Sequence, residues 1–377
     1  MSKTLQDYAT LINDTIQSNE INHYITTDNM CQNLGGIDTF KNINIPQGKV
    51  RSFQKDDVLL SNIRLYFRKV YRAKQKGGCS SDVLVFRAKH IDSTTLFAIL
   101  SSQIFTDYAC SGSQGSKMPR GNKTHMMDFK IPTINFTIAK IFNSIQNKIE
   151  NNHKINELLH KILELLYEQY FVRFDFLDEN NKPYQTSGGK MKFSKELNRL
   201  IPSGWSVRFL NHKIVSTYQP KTISKTLLND SYSYSVYGGG GIIGRFTEYN
   251  HEQSEFIISC RGQCGISYLT LPKSWITGNA MVIRPTKSYT SKIYLYHTIK
   301  KYKLTNYITG SVQPQITRQN LSTMPILIPK RKTINKWNNI SSLLWNLIHN
   351  NMQSTQTLTA LRDFLLPLLL TQQVKPQ

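Results

Sequence analysis

Apolar residues recur at spacings of three and four from Thr137 to Val172, through Ile138, Ile141, Ile145, Ile149, Ile155, Leu159, Ile162 and Leu166. That period predicts a helix that buries one face against another helix. The same pattern returns near the end of the chain through Ile334, Trp337, Ile340, Leu344, Leu347, Leu358, Leu361 and Leu365, and the stretch from Ile138 to Leu166 lines up without a gap on Trp337 to Leu365, 199 residues later. Each copy runs for about 35 residues, roughly 50 Å if continuous. Neither has the apolar width of a complete bundle, so the two are expected to pack on each other. Each stripe carries one polar break, Asn152 and Asn351, again 199 residues apart. An antiparallel pairing would bring these two together, where a buried asparagine pair can set helix register; the alternative is that both face solvent.

The duplication extends upstream of each helix. Val58-Leu59-Leu60-Ser61 matches Phe256-Ile257-Ile258-Ser259, and Asp82 to Arg87 (DVLVFR) matches Asn279 to Arg284 (NAMVIR). These short β-branched and aromatic runs, bounded by glycine or polar turns, predict strands at Asp57 to Ser61, Ser81 to Arg87, Glu255 to Ser259 and Ala280 to Ile283. Thr95 to Tyr108 and Ser291 to Tyr302 then read as helices. The polar stretch from Asp178 to Lys190, with Pro183 and the Gly188-Gly189 pair, reads as a linker. Prolines precede both long helices, Pro132 in the first copy and Pro325 and Pro329 in the second. A repeat this long implies two lobes and two connecting helices, not a short-period solenoid.

Charge divides the copies. The net charge is +23, and residues 1–136 carry 17 basic and 11 acidic side chains (+6), 137–172 carry 4 and 4 (0), 173–333 carry 23 and 8 (+15), and 334–377 carry 3 and 1 (+2). The excess lies in the lobes, and two basic lobes joined by near-neutral helices suit a polyanion such as nucleic acid. Five cysteines form no paired CxxC arrangement, so neither a structural zinc site nor a disulfide framework is expected. The N-terminal segment lacks the apolar core of a signal peptide. The longest apolar run, Phe364 to Leu370, contains Pro367 and is too short to span a bilayer. A cytoplasmic location is expected.

Several motifs remain. GGCSSDVLVFR (Gly77 to Arg87) and GSKMPR (Gly115 to Arg120) stand in the first lobe with DDVLLSNIR (Asp56 to Arg64). IPSGW (Ile201 to Trp205), YSVYGGGGIIG (Tyr234 to Gly244), ISCRGQCG (Ile258 to Gly265), WITGNAMVIRP (Trp275 to Pro285) and LRDFLLPLLL (Leu361 to Leu370) stand in the second half. In order and duplication they resemble the DNA-specificity (S) subunits of type I restriction-modification systems, over nearly the whole chain. The resemblance implies an α+β fold: two mixed α/β target-recognition domains, joined by two long antiparallel helices that form a coiled-coil spacer with a pseudo-twofold internal repeat. On that reading 1–136 is the first recognition domain, 137–172 the central spacer helix and 173–190 a linker. The second domain is 191–332, the C-terminal helix 333–370, and 371–377 a tail. The resemblance also implies double-stranded DNA, two methyltransferase (modification) subunits and restriction/translocase subunits as partners. S-adenosylmethionine, ATP and magnesium would belong to those partners, with no cofactor or metal in this chain. The first lobe departs from the pattern in lacking an IP-x-GW lead.

A reader of duplex DNA needs cations for phosphates and planar donors for base edges. Asn62, Arg64, Tyr66, Arg68 and Lys69 follow a predicted strand in the first lobe, and Ser113, Gln114, Lys117 and Arg120 occupy a glycine-punctuated loop. In the second lobe the candidates are Arg245, Arg261 and Gln263, with Gln313, Gln315, Thr317 and Arg318 in the loop that matches Gly115 to Arg120, Pro119 falling on Pro314. The four glycines from Gly238 to Gly241 are not a phosphate loop, because Arg245-Phe246 stands where Lys-Ser/Thr is required; they read as a tight turn or a close backbone approach. No Asn/Asp-Pro-Pro-Tyr/Phe tetrapeptide of an amino-methyltransferase occurs, and no acidic residue lies between Glu255 and Arg331 to build a nuclease centre. Chemistry is therefore expected to reside in partners. The alternatives are a self-contained methyltransferase or nuclease of unusual motif content, and a basic RNA-binding scaffold.

Overall fold

A computed structural model describes residues 3–39, 41–131, 134–229, 232–311 and 313–371, with no side-chain placement for the last three. Pro132 and residues 372–377 of the expected tail lie outside the described residues. The chain falls into two compact units. One is built from the residues up to Ile155 together with those from Asn351 onward, and the other is Asn156–Asn350.

In the first unit four strands form an antiparallel sheet in the order Ala9–Ile12, Val83–Ala88, Val58–Ser61, Val70–Arg72. In the second unit Val215–Tyr218, Ala280–Pro285, Phe256–Ser259 and Ser267–Leu269 repeat that order and polarity. The sequence repeat is thus a repeat of topology. The central strands read as continuous apolar runs because both faces of the sheet are covered. Val58, Leu60, Leu84 and Phe86 join the helices Ser93–Ser101 and Gln103–Ser111 in one core, whereas Leu59, Val83 and Val85 join Ile25, Phe53 and Tyr71 in another. Alternation is present, but the second face is as dry as the first.

Each sheet carries the same ion pair. Arg87 donates to both carboxylate oxygens of buried Asp57 at 2.8 Å. Arg284 donates twice to one oxygen of Glu255, at 3.0 and 2.6 Å. The acids precede the equivalent strands and the arginines sit on their equivalent neighbours, a match that the change from Asp to Glu conceals in the sequence.

Two expectations are corrected. The stretch from Thr95 to Tyr108 is not one helix but two, broken at Ser102, whose backbone is extended (ψ 148°). Its hydroxyl donates to the Ile99 carbonyl and accepts from the Phe105 amide, so serine's capping chemistry outcompetes propagation. The long helices run Phe136–Tyr167, continued by a π turn at Glu168–Val172, and Arg331–Thr371, which contains Pro367. Their apolar stripe is not uniformly buried. Ile138, Ile145, Ile149 and Trp337 are buried, but Ile141, Ile155, Ile162, Ile340, Leu347 and Leu361 lie 38–45% exposed. The predicted stripe therefore contains two faces, of which packing inside each unit uses one.

Within the first unit the helix segments run antiparallel: Leu366 packs with Ile138 and Phe142. Buried Asn152 donates to Thr355 at 3.1 Å and to Ser354 at 3.5 Å, one turn beyond Asn351. Arg362, 1% exposed, donates to the Gln146 side chain and the Asn33 carbonyl. In the second unit the facing is aromatic instead. Trp337 sits among Tyr167, Tyr170, Phe171 and His297, with ring centroids 5.3–6.1 Å apart, and Asn156 donates to the Ile348 carbonyl at 3.3 Å.

Burial in this aromatic cluster holds the His297 imidazole neutral, pushed down to about 3. Its folded value lies below its unfolded one, so the unfolded chain takes up the proton first. The stabilisation is complete above about pH 6.5 and is lost as pH falls toward 3, by about 2 kcal/mol between pH 7 and pH 5. His297→Leu is expected to flatten that part of the curve when thermal unfolding is followed at both pH values. An equal fall in wild type and variant would refute this origin.

Candidate nucleic-acid interface

In each unit the chain leaving the second central strand meets a loop from much later in the sequence. In the first unit Ile63 and Gln114 both bridge to Arg120. The Gly121 amide donates to the Asn62 carbonyl at 3.2 Å, and the Arg64 amide to the Pro119 carbonyl at 2.9 Å. In the second unit Arg261 bridges to Gln315, which also pairs with Thr309, and the Ile316 amide donates to the Cys260 carbonyl at 3.1 Å. Arg261 stands where Ile63 stands, Gln315 where Arg120 stands and Thr309 where Gln114 stands. The alignment of Pro119 with Pro314 is therefore also an alignment of backbone pairing.

The same frame presents different side chains. Tyr66, Gln114, Lys117 and Arg120 are exposed in the first unit, with Arg120 held 3.0 Å from Asp82. Arg64 is half-buried, directs its guanidinium to the Lys117 carbonyl at 3.3 Å, and adopts a left-handed backbone with φ 51°. Arg68 shares that conformation with φ 49°. Such φ values in non-glycine residues cost of order 1 kcal/mol and persist only where the surroundings enforce them. The two arginines bracket the short turn Leu65–Phe67 that lifts Tyr66 to the surface. In the second unit Arg261, Gln263, Gln313, Gln315 and Arg318 are all exposed.

Five of the remaining candidates are engaged by the protein itself, whereas the side-chain oxygen of Asn62 is buried without a hydrogen-bond partner among the described residues. Arg68 donates to the Ser101 carbonyl at 2.9 Å and Lys69 to the Thr27 carbonyl at 2.6 Å, and burial pushes the pKa of both down. Ser113 donates to the Ala109 carbonyl. Arg245 is forked onto the Tyr232 and Ser233 carbonyls, and Thr317 caps the helix Arg318–Leu321 by accepting from the Asn320 amide. The acceptors of Arg68 and Lys69 lie 33 and 42 residues away in the sequence, so no local signal separates these two from the exposed set. Asp82, the partner of Arg120, was not singled out in the sequence although it lies in the repeated strand motif.

The glycine run is a turn. Gly238 and Gly241 face each other across the hairpin of Tyr234–Gly238 and Gly241–Phe246, Gly241 at φ 107°. A Cβ on Gly239 would sit 3.0 Å from the Ser259 hydroxyl and 3.3 Å from the Arg261 carbonyl, so the hairpin tip approaches the strand end that carries Arg261. Cys260, beneath that loop, is buried and accepts a hydrogen bond from the Gln219 amide; burial pushes its thiol up. Among the described residues no group of three or more His, Cys, Asp or Glu side chains could hold a metal ion, and no helix is long and apolar enough to cross a membrane.

Exposed arginine and glutamine on a rigid loop pair can read guanine and adenine edges, while neighbouring lysines meet phosphates. The comparisons with known proteins agree with this chemistry. Residues 202–360 match the family described as type I restriction modification DNA specificity domain. The chain is similar to the type I restriction enzyme MjaIX specificity subunit of Methanocaldococcus jannaschii, 21% identical over 73% of this chain and 67% of that one. It is also similar in fold to the crystal structure of a type I restriction-modification S subunit from M. genitalium. That match has a TM-score of 0.63 and 15% identity, and covers 98% of this chain and 96% of that one. The stretch of the chain that carries Arg261 and Gln315 thus matches a type I restriction-modification DNA specificity domain, and the chain as a whole is similar to specificity subunits of such systems.

Proposed function

We propose that the chain reads a split target in double-stranded DNA, one lobe to each half. The observation that carries this reading is the duplicated loop pair with different exposed side chains: one frame, presenting Gln114, Lys117 and Arg120 in the first unit and Arg261, Gln313 and Gln315 in the second. Identical frames suit one mode of entry into a major groove, and different side chains suit two different half-sites. Lobes reading one face of the duplex must sit about one helical turn apart, roughly 34 to 36 Å. The two long helices, of 32 and 41 residues, are long enough to set that separation as an antiparallel spacer. In this reading Asn152, with its hydroxyl partners, and Asn351 help to fix the spacer's register.

The exposed apolar face of the helices supports docking of two modification subunits. Ile141 and Ile340, Ile162 and Leu361, and Leu165 and Phe364 are all exposed, and each pair is 199 residues apart. A surface that occurs twice suits a partner that binds twice. Methyl transfer from S-adenosylmethionine, and cleavage driven by ATP with magnesium, then belong to the modification and restriction/translocase subunits, in the cytoplasm where the DNA lies. Replacing Ile162 and Leu165 by aspartate is expected to abolish co-purification of one modification subunit without changing the melting temperature; full retention of both would remove that surface from the proposal.

The direct test of function is methylome sequencing of the host with and without this gene. Loss of one bipartite methylated motif is expected. Unchanged methylation, or methyl transfer by the isolated chain, would point instead to the alternative of a self-contained enzyme.

A further inference from the structure

Two large apolar side chains stand exposed beside the recognition loop of the second unit, Ile242 at 53% and Ile243 at 38%. Both belong to the edge strand of the hairpin formed by Tyr234–Gly238 and Gly241–Phe246. The register of the hairpin slips between Val236 and Tyr237, which makes Ile243 the extra residue of a β-bulge, a device that re-aims side chains near functional sites. The glycines hold the pair in place. A Cβ on Gly238 would come within 2.9 Å of the Ile243 side chain, and one on Gly239 within 3.3 Å of the Arg261 carbonyl. Glycine at the first position lets Ile243 lie across the strand, and glycine at the second lets the hairpin tip rest on the loop that carries Arg261.

The surroundings are cationic. From Lys213 to Thr247 the chain contains Lys213, Lys221, Lys225 and Arg245 against Asp230 as its single acid. Lys221 and Lys225 are exposed, and the stretch that carries them meets the hairpin at Gly244, where a Cβ would sit 3.1 Å from Leu228. Leu227, in the same stretch, is 54% exposed. An apolar patch with cations at its rim suits a surface that presents methyl groups among phosphates.

The repeat sets this pair apart from the exposed residues of the long helices. Those come twice at the offset of 199, whereas the isoleucine strand comes once. In the first unit Tyr24–Ile25 takes the place of Tyr234–Gly238, the two running parallel to Gly77–Cys79 and to Trp275–Ile276 respectively. Tyr24–Ile25 ends its sheet, but Tyr234–Gly238 has the isoleucine strand on its other side. Two half-sites of different sequence require a difference of this kind.

Given the DNA reading proposed above, on which this rests, we infer that the hairpin is a second reading element of the second lobe. Ile242 and Ile243 pack on the methyl group of a thymine in the major groove, next to the base edges met by Arg261 and Gln315. Thymine is distinguished there by apolar contact with that methyl group, and isoleucine, stiff at χ1, loses little freedom in making it. Methylome sequencing with and without the gene supplies the motif, and the half-site relaxed by Arg261→Ala with Gln315→Ala is the one the hairpin serves. Uracil, which lacks only the methyl group, then replaces each thymine of that half-site in turn, on either strand of a short duplex. Binding is followed by fluorescence anisotropy on the full chain as it purifies from the host, for wild type and for the double variant Ile242→Ala with Ile243→Ala. At one thymine wild type is expected to bind the uracil duplex about fourfold more weakly, the value of one buried methyl group. The double variant should bind both duplexes equally, at an unchanged melting temperature because both side chains are exposed. Wild type indifferent to uracil at every position, a half-site without thymine on either strand, or a variant that keeps the preference would overturn the inference. If deletion of the gene removes no motif, the DNA reading itself fails, and the role of the hairpin with it.

Discussion

Alanine at Trp337 is expected to lower the stability of the chain by about 3–5 kcal/mol, the range for removing a large buried aromatic side chain. Trp337 is 1% exposed and meets Phe171 at 5.3 Å, His297 at 5.8 Å and Tyr167 at 5.9 Å. These rings come from both long helices and from the helix Lys292–Lys300, so no single element can collapse into the space left behind. The repeat supplies a control. Ile138, at the equivalent position, is also buried but is a smaller side chain in the cluster that holds Phe142 and Leu366; Ile138→Val should cost about 0.5–1.5 kcal/mol. Urea unfolding of both variants decides this. A loss at Trp337 no larger than that at Ile138 would mean that the aromatic cluster is not the centre of the second unit's helix packing.

Insertion of four residues into the middle of each long helix is expected to change the DNA target in a defined way. The added length is about 6 Å per helix, and at roughly 3.4 Å per base pair the unread gap should widen by about two base pairs. The half-site letters should not change, because the loop pairs that present Arg120 and Gln315 are held by their own sheets. A methylome that kept its gap, or altered its letters, would separate the helices from target spacing.

What was legible in the sequence was what occurs twice. Val58–Ser61 and Phe256–Ser259, Val83–Ala88 and Ala280–Pro285, and the two long helices were all visible as matched stretches, and the loop equivalence carried through to backbone pairing at Arg120 and Gln315. Features that depend on the far side of a fold were not. The alternation of Val58 and Leu60 against Leu59 is hidden because both faces are buried. The break at Ser102 turns on one hydroxyl that serves as cap instead of helix interior. In the candidate site, Arg68, Lys69 and Arg245 carry the same charge as Arg120 and Arg261, yet each is spent on a backbone carbonyl. Composition and spacing cannot separate a bound cation from a free one. The Arg87–Asp57 and Arg284–Glu255 pairs were half visible, as two arginines at matched positions whose acids differ in length.

Two independent readers predict that damage to one lobe spares the half-site read by the other. Arg261→Ala combined with Gln315→Ala leaves the sheet of the second unit and the whole first unit untouched, and each lost base contact should be worth about 1–3 kcal/mol of discrimination. Single-molecule methylome sequencing of the host carrying this double variant reads both halves of the motif at once. Relaxed bases confined to one half, with the gap and the other half unchanged, are the expected result. Equal loss of sequence preference in both halves, or none in either, would contradict the assignment of one half-site to each lobe.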